Sequence, residues 1–163
     1  MKGEIMSINV SSGGVPKQPV RDVTVTAHGI DGDGHRDVDH HGGVERALCI
    51  FALERIEALV AEGHSIAPGS LGENLTVQGL DWDRVVPGGL FRIGEAVVIE
   101  ITQYTTPCRN ISAGFVGRNS ARVSQKHRPG WSRVYARVLV AGTIRVGARV
   151  SGLGLTAETP PTR

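Results

Sequence analysis

The chain has 163 residues and a mass of 17.3 kDa, enough for one domain with a proper core. Hydrophobic residues make up 40% and charged residues 21%, which excludes a disordered or fibrous chain. A net charge of +2 is too small to imply a nucleic-acid or membrane surface, although Arg109, Arg118, Arg122, Lys126, Arg128 and Arg133 make one stretch locally basic, suited to a small anion.

The N-terminal residues alternate polar and apolar types with no signal-peptide core, and no apolar run reaches membrane-spanning length. A cytoplasmic protein is the expectation, with no membrane partner. Cys49 and Cys108 are the two cysteines, and both are expected to be reduced.

In chain order, Gly3–Val10 alternates as a strand, and Ser11–Pro16 is a turn of small residues. Val20–Ala27 is a second strand, with Val23, Val25 and Ala27 on one face. Asp31–Gly43 follows, with four glycines, three histidines and four aspartates. His35, His40 and His41, with Asp33, Asp37 and Asp39, have ligand chemistry, but adjacent His40 and His41 diverge in any regular conformation. A turn and hydrogen-bonding segment is therefore expected over a metal site.

Ala47–Phe51 reads equally as a buried strand or the start of a helix. Leu53, Ile56, Leu59 and Val60 then fall at helical spacing, with Gly63 as a C-cap. From Gly69 onward strands dominate: Glu73–Gln78, Leu90–Ile93, Ala96–Gln103, Trp131–Val140 and Thr143–Val150, with a hairpin at Ala141-Gly142. Many short strands, 22 glycines and no βαβα rhythm predict a mainly β fold, a closed or nearly closed β-barrel with one or two short helices. The domain is expected to span residues 1–152, with a disordered tail over 153–163.

Cys108 follows the apolar run Val97–Ile101 in Tyr104-Thr-Thr-Pro-Cys-Arg-Asn-Ile111. Pro107 restricts the backbone before it, and Arg109 can favour a thiolate, which serves as nucleophile, redox centre or soft metal ligand. An incidental loop cysteine has the same sequence signature. Cys49, in Ala-Leu-Cys-Ile-Phe, has the setting of a core residue. Gly72-Glu-Asn-Leu-Thr76 is either a turn entering a strand or a pocket wall offering the Asn74 amide and Thr76 hydroxyl. No hydrolase elbow or phosphate-binding loop is present.

Taken in order, several segments resemble the MOSC family, named for the C-terminal domain of molybdenum cofactor sulfurase. They are Ile8–Ser11, Gly14–Lys17, Gly29–Asp33, His40–Gly43, Gly72–Leu75, Gly88–Gly94, Thr106–Arg109, Gly130-Trp131, Ala136–Leu139 and Gly142–Gly147. The resemblance implies a barrel related to the pyruvate kinase barrel domain. It implies that Cys108 is the catalytic residue and ligates molybdenum in the pterin cofactor (molybdopterin), in an oxidoreductase component acting on N-hydroxylated compounds. Arg109, and with less support Lys17 and Arg137, would hold the anionic pterin. Asp33, His40, His41, Asn74 and Thr76 would form or brace the wall. A small-molecule substrate and separate electron-transfer proteins are then the expected partners, and nucleic acid is not. The family also implies an alternative, a sulfur carrier holding a persulfide on Cys108 and charged by a sulfur donor. Pyridoxal phosphate is not expected, because 163 residues leave no room for a desulfurase domain.

Overall fold

The computed structural model describes residues 1–34 and 43–155. Seven strands close into a mixed barrel: β1 (Lys2–Val10), β5 (Leu48–Ala52), β6 (Leu75–Gln78), β7 (Gly89–Ile93), β8 (Val97–Tyr104), β9 (Val134–Val140) and β11 (Arg149–Leu155). Their order is β11-β7-β8-β9-β5-β6-β1, and β1 pairs back onto β11 through Lys2↔Ser151 to complete the ring. β2 (Gln18–Val20) adds to the far end of β1, while β3 (Asp22–Thr26), β4 (Gly29–Ile30) and β10 (Gly142–Arg145) form a separate three-stranded sheet. The expected mainly β barrel is the observed fold.

Period-two alternation decides what faces the interior. Val134, Ala136 and Val138 of β9 point inward, and Tyr135 and Arg137 point outward. In β1 a bulge between Ile5 and Ser7 resets the alternation, so Ile5 and Ile8, three residues apart, both reach the core. Ile50, Leu75, Val77, Phe91, Ile99 and Ile101 help fill the barrel and leave a void of only about 10 Å³. That is at the threshold for one water molecule, so this part of the barrel interior has no room for a ligand.

The ambiguous apolar run is a strand. All five residues of β5 are buried because its neighbours β6 and β9 cover its edges and further chain covers its outer face. β6 runs parallel to β5, which requires a crossover, and α1 (Leu53–Ala61) supplies it in the chain's one βαβ unit among the described residues. Ile56 and Leu59 are the buried residues of α1, whereas Val60 is exposed. Gly63, at φ +100°, ends the helix, donating its amide to Val60 while His64 donates to Leu59, a Schellman arrangement.

Several sequence boundaries need correction. Glu73 and Asn74 precede β6, and Trp131–Arg133 precede β9, because their polar groups bond to loops. Val20–Ala27 divides into β2 and β3, and Thr143–Val150 divides at Gly147, φ +89°, into β10 and β11. Ala141 is a corner and not a hairpin, since β10 pairs with β3 instead of β9. β11 runs three residues past the expected boundary at 152, pairing Leu155 with Gly89. The rest of the tail lies outside the described residues. Among the described residues no helix is long and apolar enough to cross a membrane.

The segment after Cys108 winds as short 3-10 turns, Arg109–Gly114, Val116–Arg118 and Ser120–Val123. Glu62, at the end of α1, fastens it: Arg122 donates to both its carboxylate oxygens at 3.0 and 3.1 Å, and Arg128 does so at 3.1 and 2.6 Å. Hydrogen bonding from Arg128, then from Arg122, lowers the Glu62 carboxyl to about 2, so the clasp persists above that pH. Arg128 also stacks on Trp131, 3.4 Å from the ring centroid. Replacing Glu62 with Ala is expected to cost about 1 kcal/mol in urea unfolding, with the loss shrinking at high salt, because the network is partly exposed.

Candidate functional site on the outer barrel wall

A polar row crosses the outer face of five neighbouring chain segments. Asn9 donates its backbone amide to Asn74 at 2.7 Å, and Asn74 exchanges bonds with Cys49, its amide reaching the Cys49 carbonyl at 2.8 Å. The Asn74 Oδ1 accepts the Cys49 amide at 2.9 Å. Cys49 stands opposite Tyr135, and Tyr135 opposite Gln103. Cys108 sits five residues beyond Gln103, where the chain leaves β8; Thr105 ties that loop to β9 by donating to the Arg133 carbonyl at 3.1 Å.

Asp33 anchors the row to the loop that covers it. Its side chain is 2% exposed, and its Oδ1 accepts from Lys17 Nζ at 2.7 Å and from the Ser11 amide at 3.0 Å. Its Oδ2 accepts from Asn74 Nδ2 at 2.8 Å. Lys17 is itself buried, and its amide donates to the Gly69 carbonyl. A Cβ on Gly69 would lie 2.4 Å from the Lys17 carbonyl oxygen, so glycine is needed for the two loops to meet this closely. Thr76, fully buried, accepts from Asn9 Nδ2 at 3.2 Å.

Three titratable groups at the row are buried, Glu73, Cys49 and Arg133. Burial pushes the Glu73 carboxyl up to about 7, against the opposing pull of Arg133 and backbone amides. Burial likewise pushes the Cys49 thiol up to about 11, opposed by Arg133 and Lys17 and reinforced by Glu73. Cys49 is therefore a neutral, inert thiol. Tyr135 is raised to about 12, by burial first and then by Cys49, with Cys108 also close enough to contribute. Arg46 stacks over the Tyr135 ring at 5.3 Å.

A raised carboxyl pKa is a stability term with a definite sign. Glu73 holds its proton in the folded chain up to about pH 7, against an ordinary value of 4.5, so its contribution is full below pH 4.5 and is lost as pH rises through 7. The loss amounts to about 3 kcal/mol. Comparing wild type with Glu73→Gln by urea unfolding from pH 4 to 8 is expected to show that fall in the wild type alone.

Cys108 is a free cysteine with a half-buried side chain, in contrast to the fully enclosed Cys49. Arg109 beside it is exposed. Arg137 lies on the same outer face of β9 but is held by Glu45 at 3.1 Å and Glu100 at 3.7 Å. The structure thus joins Lys17, Asp33, Asn74 and Thr76 in one network and places Arg109 and Arg137 outside it. His40 and His41, with His35, Asp37 and Asp39, lie outside the described residues. Sequence reading did not single out Glu73, Tyr135 or Asn9, and it placed Arg133 only in a basic stretch. The alternation of Arg133 and Tyr135 with Val134 and Ala136 was the signal that could have placed them on one face.

A model of the MOSC domain matches residues 37–151, most of the chain. The chain belongs to the MOSC family. It is 33% identical to YflK of Bacillus subtilis over 141 residues, which is 84% of this chain and 62% of YflK. With YiiM of Escherichia coli it shares 32% identity over 116 residues, 68% of this chain and 51% of YiiM. It therefore spans only about half to three-fifths of these relatives' length. A protein of Gibberella moniliformis named as a reductase is 29% identical over 134 residues, 79% of this chain and 23% of that protein. The crystal structure of E. coli YiiM superposes with a TM-score of 0.71 at 25% identity, over 94% of this chain and 70% of that one. The fold is thus shared over nearly the whole of this chain.

Among the described residues no group of three His, Cys, Asp or Glu side chains could hold a metal ion. Among the described residues Cys108 has no companion ligands, so a metal there would draw its other ligands from elsewhere. One accessible thiol, with an exposed guanidinium next to it, fits the molybdenum cofactor of the MOSC family, which brings its own sulfur ligands and an anionic group.

Proposed function

We propose that this MOSC protein binds the molybdenum cofactor with Cys108 as the protein thiolate, and serves in a reductase for N-hydroxylated compounds that draws on separate electron-transfer proteins. The observation that carries this reading is the contrast between the two thiols. Cys49 is sealed and held neutral, whereas Cys108 stands half-buried in the loop that follows β8, close enough to Tyr135 to act on its hydroxyl. The relative named as a reductase supports the reaction class.

When bound, the cofactor supplies a two-electron molybdenum couple. The chain's own residues supply the rest. Cys108 offers a soft ligand from a loop pinned by Thr105 and by the clasp at Glu62. Arg109 offers charge to an anionic group. Tyr135 keeps its proton to about pH 12 and so remains a hydrogen-bond donor beside the thiol. Asp33, Lys17 and Asn74 cancel each other's charge and dipoles and so hold the wall without needing a ligand.

The test is molybdenum and pterin analysis of protein made in cells with an intact cofactor pathway. Stoichiometric molybdenum is the expected result. Protein that carries none, yet accepts a labelled persulfide on Cys108, would instead be a sulfur carrier and end the reductase reading.

A further inference from the structure

His64 lies just beyond α1 and is buried, at 8% exposed. Its Nδ1 accepts the Val116 amide at 3.1 Å, its ring packs on Phe115 with centroids 5.1 Å apart, and its Nε2 stands 3.5 Å from Glu62 Oε1. Because Nδ1 accepts, the neutral ring carries its proton on Nε2, toward Glu62.

Val116 closes the segment that begins at Cys108. The Cys108 carbonyl accepts from the Ile111 amide at 3.3 Å, the Arg109 carbonyl from the Ser112 hydroxyl at 2.8 Å, and the Ser112 carbonyl from the Phe115 amide at 3.0 Å, so each turn leans on the next. Two bonds seat this run on the end of α1. Val116 donates to His64, and the Ser65 amide donates to the Gly114 carbonyl at 2.7 Å. A Cβ on Gly114 would lie 2.7 Å from the Ser65 carbonyl oxygen, so the second contact is between bare backbones. Of the two, only the first depends on an ionisable side chain.

We infer that His64 is a pH-responsive clamp that positions the Cys108 segment through Val116. When the ring takes a second proton, Nδ1 changes from acceptor to donor and confronts the Val116 N–H, so that bond is lost. The added charge is meanwhile held at Nε2 by Glu62, which stays ionised because Arg128 and then Arg122 lower its carboxyl to about 2. The ring therefore stays with α1, and the Cys108 segment is what lets go. Among the described residues the charged group facing the ring from α1 is Glu62, and from the opposite side come Arg122 and Arg128, both bonded to Glu62. Phe115 and Val116 bring no charge, and Arg118 beyond them is exposed. His64 is thus a positioning residue. The functional weight of the clamp, though not its existence, rests on Cys108 as the proposed ligand.

The test is an NMR titration of the unliganded full chain from about pH 8 to 5, where histidines change charge. It needs no cofactor, so its failure and that of the proposed function are distinguishable. At the alkaline end, nitrogen shifts of the His64 ring are expected to show a bare Nδ1 and a protonated Nε2. As the pH falls, the Val116 amide proton should move upfield with the ring's own midpoint, and the Ile111 amide, bonded to the Cys108 carbonyl, should follow. Protection of Val116 from hydrogen exchange, corrected for the intrinsic rate, should drop roughly fivefold, the effect of one lost hydrogen bond. His64→Asn offers an amide oxygen that accepts without titrating, and should keep the protection while losing the pH response; His64→Leu should lack the protection at every pH. A proton on Nδ1 at the alkaline end overturns the inference, as does a Val116 or Ile111 amide that ignores the ring's midpoint. It fails equally if His64→Asn retains the wild-type response. Should the variants not fold, the wild-type titration decides.

Discussion

Replacing Cys108 with serine is expected to reduce bound molybdenum and pterin to less than about a tenth of the wild-type content, with no change in the unfolding free energy beyond about 0.5 kcal/mol. The side chain is half-buried, forms no disulfide, and changes by one atom, so the fold has little reason to respond. The ligand does. A serine hydroxyl is a hard, neutral donor at neutral pH, while a thiolate is soft and anionic, and no other described cluster can hold the metal in its place. Metal analysis and absorption spectra of the two proteins, prepared side by side, give the measurement. Equal molybdenum in both would remove Cys108 from the coordination sphere. It would shift attention to Asp31–Gly43, most of whose polar side chains lie outside the described residues.

The second large effect belongs to Asp33. Its carboxylate takes three hydrogen bonds while 2% exposed, and Lys17 Nζ is 2.7 Å away in equally enclosed surroundings. Asp33→Ala is expected to cost about 3–5 kcal/mol, since it strands a buried ammonium and frees Asn74 Nδ2. In thermal unfolding this corresponds to a fall of roughly 10 °C. Removing both charges together, Lys17→Met with Asp33→Leu, should recover much of that loss, because buried ion pairs gain little over packed apolar groups. A single variant as stable as wild type would show that the pair is open to solvent. If the stable double variant also loses molybdenum, the pair holds the cofactor directly as well as bracing the wall.

The fold was legible because its signals are local. Alternation in Leu90–Ile93 and Val97–Ile101, and turn glycines between strands, mark a β-rich chain without any knowledge of pairing. The site was legible only in pieces. Cys108 and Asn74 stand out by residue type and setting, but the rung that leads from Asn74 through Cys49 to Tyr135, on which Cys108 acts, comes from strands far apart in sequence. Glu73 and Arg133 are 60 positions apart, and neither residue alone suggests burial, since Glu and Arg are normally solvated. Lys17 was expected to offer free charge. Its partner Asp33 lies across a loop closure that composition cannot reveal. Val60 misled for the opposite reason: helical spacing places it on the apolar face, but α1 is covered only along Ile56 and Leu59.

The ring of strands closes where β1 meets β11, joining Lys2 to Ser151. This contact spans almost the whole chain, so it carries the largest loop-closure entropy in the molecule and must be among the last to form. A ribosome cannot release a finished barrel until β11 has emerged. Cys108 is synthesised well before that, and through this interval its thiol is exposed in a chain whose supporting wall is unfinished. If Cys108 binds the cofactor as proposed, capture follows completion of the barrel, and the thiol has to stay reduced until then.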